Sequence, residues 1–511
     1  MATRLFAKKP LSLLFEEMDG EHRLKRVLGP VQLTSLGVGA IIGAGIFVAT
    51  GAAAHNTAGP ALILSYVVAG TACVFAALCY AEFASMVPVA GSAYTYAYAT
   101  LGELFAWIIG WDLVLEYAVS AATVTHGASA YFQDLIGIFG LHLPNALTGA
   151  PFDFKQGKWV ATGTVIDFPA IVITGIATVV LVRGIKESAS FNAAMVITKV
   201  LIVLLVIFVG IFYVNSANWH PFAPYGLTGV SFFGKMIAGQ HDVGGQPLGM
   251  LAGAALIFFA YIGFDSVSTH AEEARKPQRD VPIGIIVSLV LCTVLYMAVT
   301  AVLTGMVPYD KLDVNAPVAN AFKQNGLTWA QLLISMGAVA GITSVVLVTM
   351  LSQARILLAM ARDGLLPARF FGAVHERFCT PWKGTIATGV FVGLTAAFLP
   401  IDVLLTLVNI GTLLAFAIVC GAVMIMRRTN PDAPRPFRAP LVPLIPILGI
   451  LTCLLLMFSL PVENWLRLAV WLAIGLCIYG FYGRRHSVMR TRPSTASPAN
   501  KPAIEPAEAG R

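Results

Sequence analysis

Lys199 stands in the run Met195-Val196-Ile197-Thr198-Lys199-Val200-Leu201-Ile202, where every neighbour is uncharged. At bilayer depth a charge costs roughly 3 kcal/mol on insertion scales and marks function by default. Loss of hydration favours release of the proton, which is the behaviour of a proton carrier. The alternative is a lysine that stays charged, tied to backbone carbonyls in place of a structural cation. Glu116 follows Trp111-Asp112 in a second apolar run. It is either a pocket or proton-relay carboxylate or a hydrogen-bonded acid packed between helices. His126, farther along that run, suits a satisfied core histidine better than a relay. Glu82 and Glu103 sit near segment ends and suit structural or gating work.

A different chemistry belongs to the glycines. One run reads Gly37-Val38-Gly39-Ala40-Ile41-Ile42-Gly43-Ala44-Gly45-Ile46-Phe47. Each glycine weakens a helix by about 1 kcal/mol relative to alanine, and bare backbone can approach a ligand. Helix packing through small residues accounts for Gly37 and Gly39. Gly43-Ala44-Gly45 is equally readable as packing or as a break. A later run, Phe258-Phe259-Ala260-Tyr261-Ile262-Gly263-Phe264-Asp265, sets a glycine beside aromatics and an acid. Phe259 and Phe264 flank that point and are placed to close a site, although span aromatics are usually packing.

Other chemistries lack their parts. The nine histidines are scattered, and neither H-E-x-x-H nor G-x-S-x-G occurs, so nothing points to an intramembrane enzyme. A filter loop or rings of like charge, expected of a channel, are missing. The seven cysteines form no C-x-x-C pair, so neither disulfides, a metal nor a cofactor is expected.

The elements that position these residues are membrane helices. Of the 511 residues, 57% are hydrophobic and 12% charged, against about 25% charged in soluble domains. A hydrocarbon core of about 30 Å needs about 20 apolar residues of helix. Twelve runs qualify: 31–54, 61–86, 102–132, 166–183, 188–214, 249–270, 282–307, 328–361, 384–400, 402–427, 441–460 and 465–482. With the N-terminus inside, 25 of the 33 basic residues fall on cytoplasmic segments and five outside. That bias places both termini in the cytoplasm and the chain in the cytoplasmic (inner) membrane. Residues 1–30 form a charged N-terminal segment without a signal peptide's apolar region. The loop 133–165 is expected to be an irregular cap, and 483–511 a disordered tail. The net charge of +7 follows from the same bias, so no nucleic-acid partner is expected.

The first and sixth runs are glycine-interrupted and five helices apart, which is the pattern of inverted-repeat transporters. Residues 31–427 then form a core of two five-helix repeats, about 31–214 and 249–427, with two extra helices at 441–482. Freed N–H groups at a half-helix N-terminus suit a carboxylate, and freed carbonyls suit an ammonium. An amino acid carries both at fixed separation.

These strings, with Tyr80-Ala81-Glu82-Phe83, Pro88-x-x-Gly91-Ser92-Ala93-Tyr94, Glu272-Glu273 before Pro277-Gln278-Arg279-Asp280, and Ala361-Arg362-Asp363-Gly364-Leu365-Leu366-Pro367, resemble the amino acid–polyamine–organocation permeases. The likeness, strongest to the cationic amino acid transporter branch and its bacterial relatives, runs from about Leu24 to Tyr482. It implies a leucine-transporter-like five-plus-five fold plus two C-terminal helices. It also implies a substrate carboxylate on the backbone of Gly43, Ala44 and Gly45, and an amine near the carbonyls of Ile41, Phe259, Ala260 and Ile262. Family members often carry Ser or Thr where this chain has Ala44. A lysine at the position of Lys199 stands where sodium-coupled relatives hold sodium and meets a hydroxyl on the eighth span, for which Thr343 and Ser344 are candidates. Proton coupling is expected, with equilibrium exchange as the alternative. Glu272 and Glu273 belong either to a cytoplasmic gate or to a solvated loop face. A cationic substrate would bring Glu116 to the pocket, whereas the Phe- and Ala-rich sixth run suits a neutral one.

Overall fold

A backbone crossing hydrocarbon must pair its own N–H and C=O groups, so apolar runs of this length fold as helices. In a computed structural model, residues 7–9, 28–86, 92–155, 158–184, 189–233, 235–243, 245–269 and 274–491 are described. Each of the twelve expected segments is helical there. We label the helices α1 (Pro30–Ile41), α2 (Leu62–Met86), α3 (Glu103–Ile138), α4 (Phe168–Arg183), α5 (Ala189–Gly210), α6 (Met250–Ile257), α7 (Pro277–Met306), α8 (Thr328–Arg362), α9 (Trp382–Phe398), α10 (Ile401–Thr429), α11 (Leu444–Met457) and α12 (Val462–Ile478). Among the described residues, eight helical runs are long and apolar enough to cross a membrane, with Pro30–Met86 taken as one. Helices α4 and α11 are shorter and apolar.

The packing pairs α3 with α8, α2 with α7, and α4 with α9, while the middle of the first run meets the middle of the sixth. Each pairing joins a helix to one five places along. Helix α7 also carries α1, and α10 packs on α3 and α11. Large apolar side chains are exposed on the outward faces, as Ile176 and Val179 on α4 and Ile197, Leu201 and Phe208 on α5. Such faces suit lipid rather than water.

Three local features differ from expectation. Helix α3 continues to Ile138 and α7 begins at Pro277, whose fixed φ suits a first helical position. The expected irregular cap includes a hairpin, Phe152–Lys155 paired with Lys158–Ala161, and two further hairpins lie between Val230 and Leu248. Residues 484–491, assigned from sequence to the disordered tail, are helical turns. They are held because the buried Glu103 accepts hydrogen bonds from Ser487 and, at 2.7 Å, from Tyr479, while Val488 N–H donates to Asp363 O at 3.0 Å. Lys9 Nζ reaches Asp363 Oδ1 at 3.1 Å on the same side.

Candidate functional site

Both glycine-interrupted runs lose their regular winding. Helix α1 stops at Ile41, and Ile42 is extended (φ −72°, ψ 101°). Winding resumes at Ala44 and runs wide over Gly45–Ala49. Helix α6 stops at Ile257, tightens over Phe258–Tyr261, and then turns through Ile262 (ψ 133°) and Gly263 (φ +114°) before Ser266–Thr269. The two breaks cross in direct contact. A Cβ on Gly45 would sit 2.3 Å from Ala260 Cα, and one on Gly263 would sit 2.9 Å from Ala40 O. These two glycines are required by close backbone approach. Gly43 is looser, since its added Cβ would meet only a Val345 methyl at 3.0 Å. Gly37 and Gly39 pack on Ser288 and Val196, as small-residue packing requires.

Carbonyls on both sides of the first break are met by the protein's own side-chain donors, although Gly45 O also keeps its backbone bond from Thr50 N–H. Lys199 Nζ donates to Gly39 O at 2.7 Å, Tyr296 Oη to Ile41 O at 2.8 Å, Thr50 Oγ1 to Gly45 O at 3.3 Å, and Tyr131 Oη to Phe47 O at 2.6 Å. At the amide end, among the described residues, no side chain caps the helix resuming after Ala44, and its first turn holds no acid. The second break differs, because Asp265 immediately precedes its second half and Ser266 Oγ donates to Gly263 O at 2.6 Å.

Lys199 is 1% exposed. Its stem lies over Gly341, where a Cβ would be 3.0 Å from Lys199 Cγ. Ser344 Oγ donates to Gly341 O within its own helix at 2.9 Å, and Thr343 is half-buried beside it. Glu116 is buried, near Thr412 and within electrostatic reach of Asp265 and Asp112. Neither of its oxygens makes a hydrogen bond of normal geometry. Tyr117 Oη donates to Asp265 Oδ2 at 2.8 Å. Phe259 and Phe264 are buried, the latter against Tyr80 and Phe416 with ring centroids 5.9 and 5.0 Å away.

Two further acids make contacts that tie elements together. Glu82 takes a two-pronged hydrogen bond from Arg427 (2.9 and 2.6 Å) and one from Ala439 N–H (2.8 Å), tying α2 to the chain after α10. His126 Nδ1 lies 3.2 Å from Asp167 Oδ2, and Asp167 caps α4 through Ala170 N. Glu272, Glu273 and Pro88–Gly91 lie outside the described residues. Sequence reasoning missed Tyr296, Tyr131, Tyr66 and Thr50. Tyr66 meets Thr50 Oγ1 at 2.7 Å, and its carbonyl accepts from Tyr261 Oη at 2.8 Å. The available signal was that each is a hydroxyl in an apolar run, where a polar atom must find a partner.

Two helix breaks apposed inside a bundle, with a buried lysine beside one of them, match the pattern of glycine-interrupted spans in membrane transporters. The amino acid permease family matches residues 28–480. The chain is 47% identical over 488 residues to the branched-chain amino acid permease BcaP of Bacillus subtilis (strain 168), covering 95% of this chain and 99% of that one. It is 46% identical over 485 residues to the methylthioribose transporter of the same organism, with coverage of 95% and 99%. It is 38% identical over 420 residues to the vacuolar cationic amino acid transporter 4 of Arabidopsis thaliana, covering 81% and 65%. This chain belongs to the amino acid permease family, whose members here are transporters rather than enzymes.

Proposed function

We propose that this chain carries neutral amino acids into the cell together with protons, by alternating access of a twelve-span, five-plus-five inverted-repeat bundle. Both termini face the cytoplasm. The observation that carries the proposal is the unequal state of the first break. The carbonyls before it, Gly39 O and Ile41 O, already receive Lys199 and Tyr296, whereas among the described residues its amide end has neither cap nor acid. A half-helix N-terminus left in that state favours an incoming anion. The substrate carboxylate therefore goes to Gly43, Ala44 and Gly45. The ammonium goes to the carbonyls around Phe259, Ala260 and Ile262, with Ile41 shared with Tyr296. The pairing of helices five places apart supports the inverted repeat.

Lys199 links proton to substrate. While protonated it holds Gly39 O, two residues before the end of α1. Release of its proton removes the charge that strengthens this hydrogen bond and so loosens that end of the break. The apolar Phe259 and Ile262 favour a neutral side chain, and one relative is named for branched-chain amino acids. The buried Glu116 and Asp265 favour a second reading, a cationic substrate.

Uptake into proteoliposomes, with a panel of labelled amino acids and with or without a pH or sodium gradient, tests the proposal. Accumulation driven by an inward proton gradient is expected. Sodium-driven accumulation, or uptake of no amino acid, overturns it.

A further inference from the structure

A cavity of about 300 Å³ lies away from the breaks. It opens at the end of the bundle where α6, α10 and α12 begin, opposite the Glu82–Arg427 pair. Charge bias assigns that end to the outside. The volume is at the lower limit of small-molecule pockets and suits one free amino acid.

The lining carries both signs. Arg467 supplies a guanidinium, and Asp402, Glu463 and Asp242 supply carboxylates. Arg467 Nη1 donates to Asn464 Oδ1 at 3.3 Å, which turns the Asn464 amide so that its nitrogen is the free donor. Asn464 is 1% exposed, lines the cavity, and has that nitrogen without a partner among the described residues. A buried donor in that state costs about 1–3 kcal/mol, a cost that an incoming acceptor removes. A guanidinium beside a free amide N–H matches a carboxylate, and the nearby acids match an ammonium.

The cavity also touches the transport path. Its wall includes Ala252 and Leu256 of α6. On α10, Asp402, Thr406 and Asn409 fall at helical spacing on one face. Asn409 Nδ2 grips Ala255 O and Leu256 O at 2.9 and 2.8 Å, at the end of α6 where the break begins. A ligand here bridges α12 and α10 to the first half of α6 and opposes their separation.

We propose that this cavity is a second site for a zwitterionic amino acid, held by Arg467 and Asn464 at its carboxylate, whose occupancy slows the movement of α6. The ligand class rests on the amino acid transport proposed above; the cavity geometry does not.

The test is equilibrium binding of L-[³H]leucine to the purified full chain in nanodiscs, with proteoliposome uptake measured alongside. The wild type is expected to bind two molecules per chain and to show slower uptake at high leucine. Arg467→Gln is expected to bind one and to lose that inhibition. Thr406→Trp, which fills the cavity from another helix, is expected to do the same and guards against misfolding of the first variant. One bound molecule in the wild type, unchanged in both variants, overturns the second site while leaving the transport proposal intact. A single bound molecule lost in both variants, with no uptake at all, supports this site and overturns the central one. Absence of binding overturns both.

Discussion

Adding one methyl group at Gly45 tests whether the crossing of the two breaks is a working contact. Its Cβ would lie 2.3 Å from Ala260 Cα and 2.5 Å from Ala260 Cβ, whereas carbon atoms rest about 3.5–4.0 Å apart. Relief requires the backbones to part by more than an ångström. Overpacking of this kind costs about 1–3 kcal/mol, which is roughly a 5- to 150-fold loss of the closed arrangement. At Gly43 the same methyl meets only a Val345 side-chain methyl at 3.0 Å, which a few tenths of an ångström relieves. Gly45→Ala is therefore expected to lower initial uptake by one to two orders of magnitude in proteoliposomes normalised for protein, and Gly43→Ala far less. Ala260→Gly in the Gly45→Ala background removes the 2.5 Å contact and leaves the 2.3 Å one, so rescue should be partial. Uptake by Gly45→Ala within about twofold of wild type, or ~0.4 kcal/mol, refutes the crossing as a contact that transport depends on. A larger loss at Gly43 than at Gly45 refutes it equally.

Lys199→Gln keeps a donor for Gly39 O but cannot carry a proton, so exchange across the membrane should survive while accumulation driven by a pH gradient is lost; full accumulation would exclude Lys199 from coupling. Tyr296→Phe deletes the hydrogen bond to Ile41 O, worth about 1 kcal/mol, and should change uptake about fivefold with little loss of protein, checked by transport kinetics beside size-exclusion profiles. Glu82→Ala strands the Ala439 N–H and leaves the Arg427 guanidinium with Ala439 O alone as a hydrogen-bond acceptor among the described residues. Breaking a buried pair costs about 3 kcal/mol or more, so the melting temperature in detergent should fall by several degrees, and an unchanged value would show the pair to be idle.

The helices were legible because hydrocarbon thickness and apolar run length leave few solutions, and the glycine runs marked both places where winding fails. Glycine content alone did not separate Gly45, pressed on Ala260, from Gly39, pressed on Val196. That distinction depends on which helix lies opposite, a relation between residues far apart in the chain. The tyrosines at the first break were hidden for the same reason. Tyr296 looks like any span aromatic until the structure shows Ile41 O beneath its hydroxyl. The hairpins of the loops were unreadable because strands of two to four residues carry too little alternation to register. The ordered turns beyond Gly483 depend on Glu103, nearly four hundred residues away.

The choice between neutral and cationic substrates turns on Glu116. Its carboxyl stands among Asp265, Asp112 and Thr412, on the side of the second break where Asp265 already sits. A guanidinium or ammonium reaching past Phe259 and Ile262 would gain from these acids, whereas an aliphatic side chain would gain nothing from them. Glu116→Gln keeps the shape and removes the ionisable carboxyl. With a neutral substrate, the KM for leucine should stay within about twofold, or ~0.4 kcal/mol, while any inhibition by arginine weakens about tenfold, or ~1.4 kcal/mol, through the lost contact to the carboxyl. Equal losses for both amino acids would make Glu116 a packing residue of α3. If arginine fails to compete even in the wild type, the acids take no part in selecting substrate, and selection rests on the apolar walls of the second break.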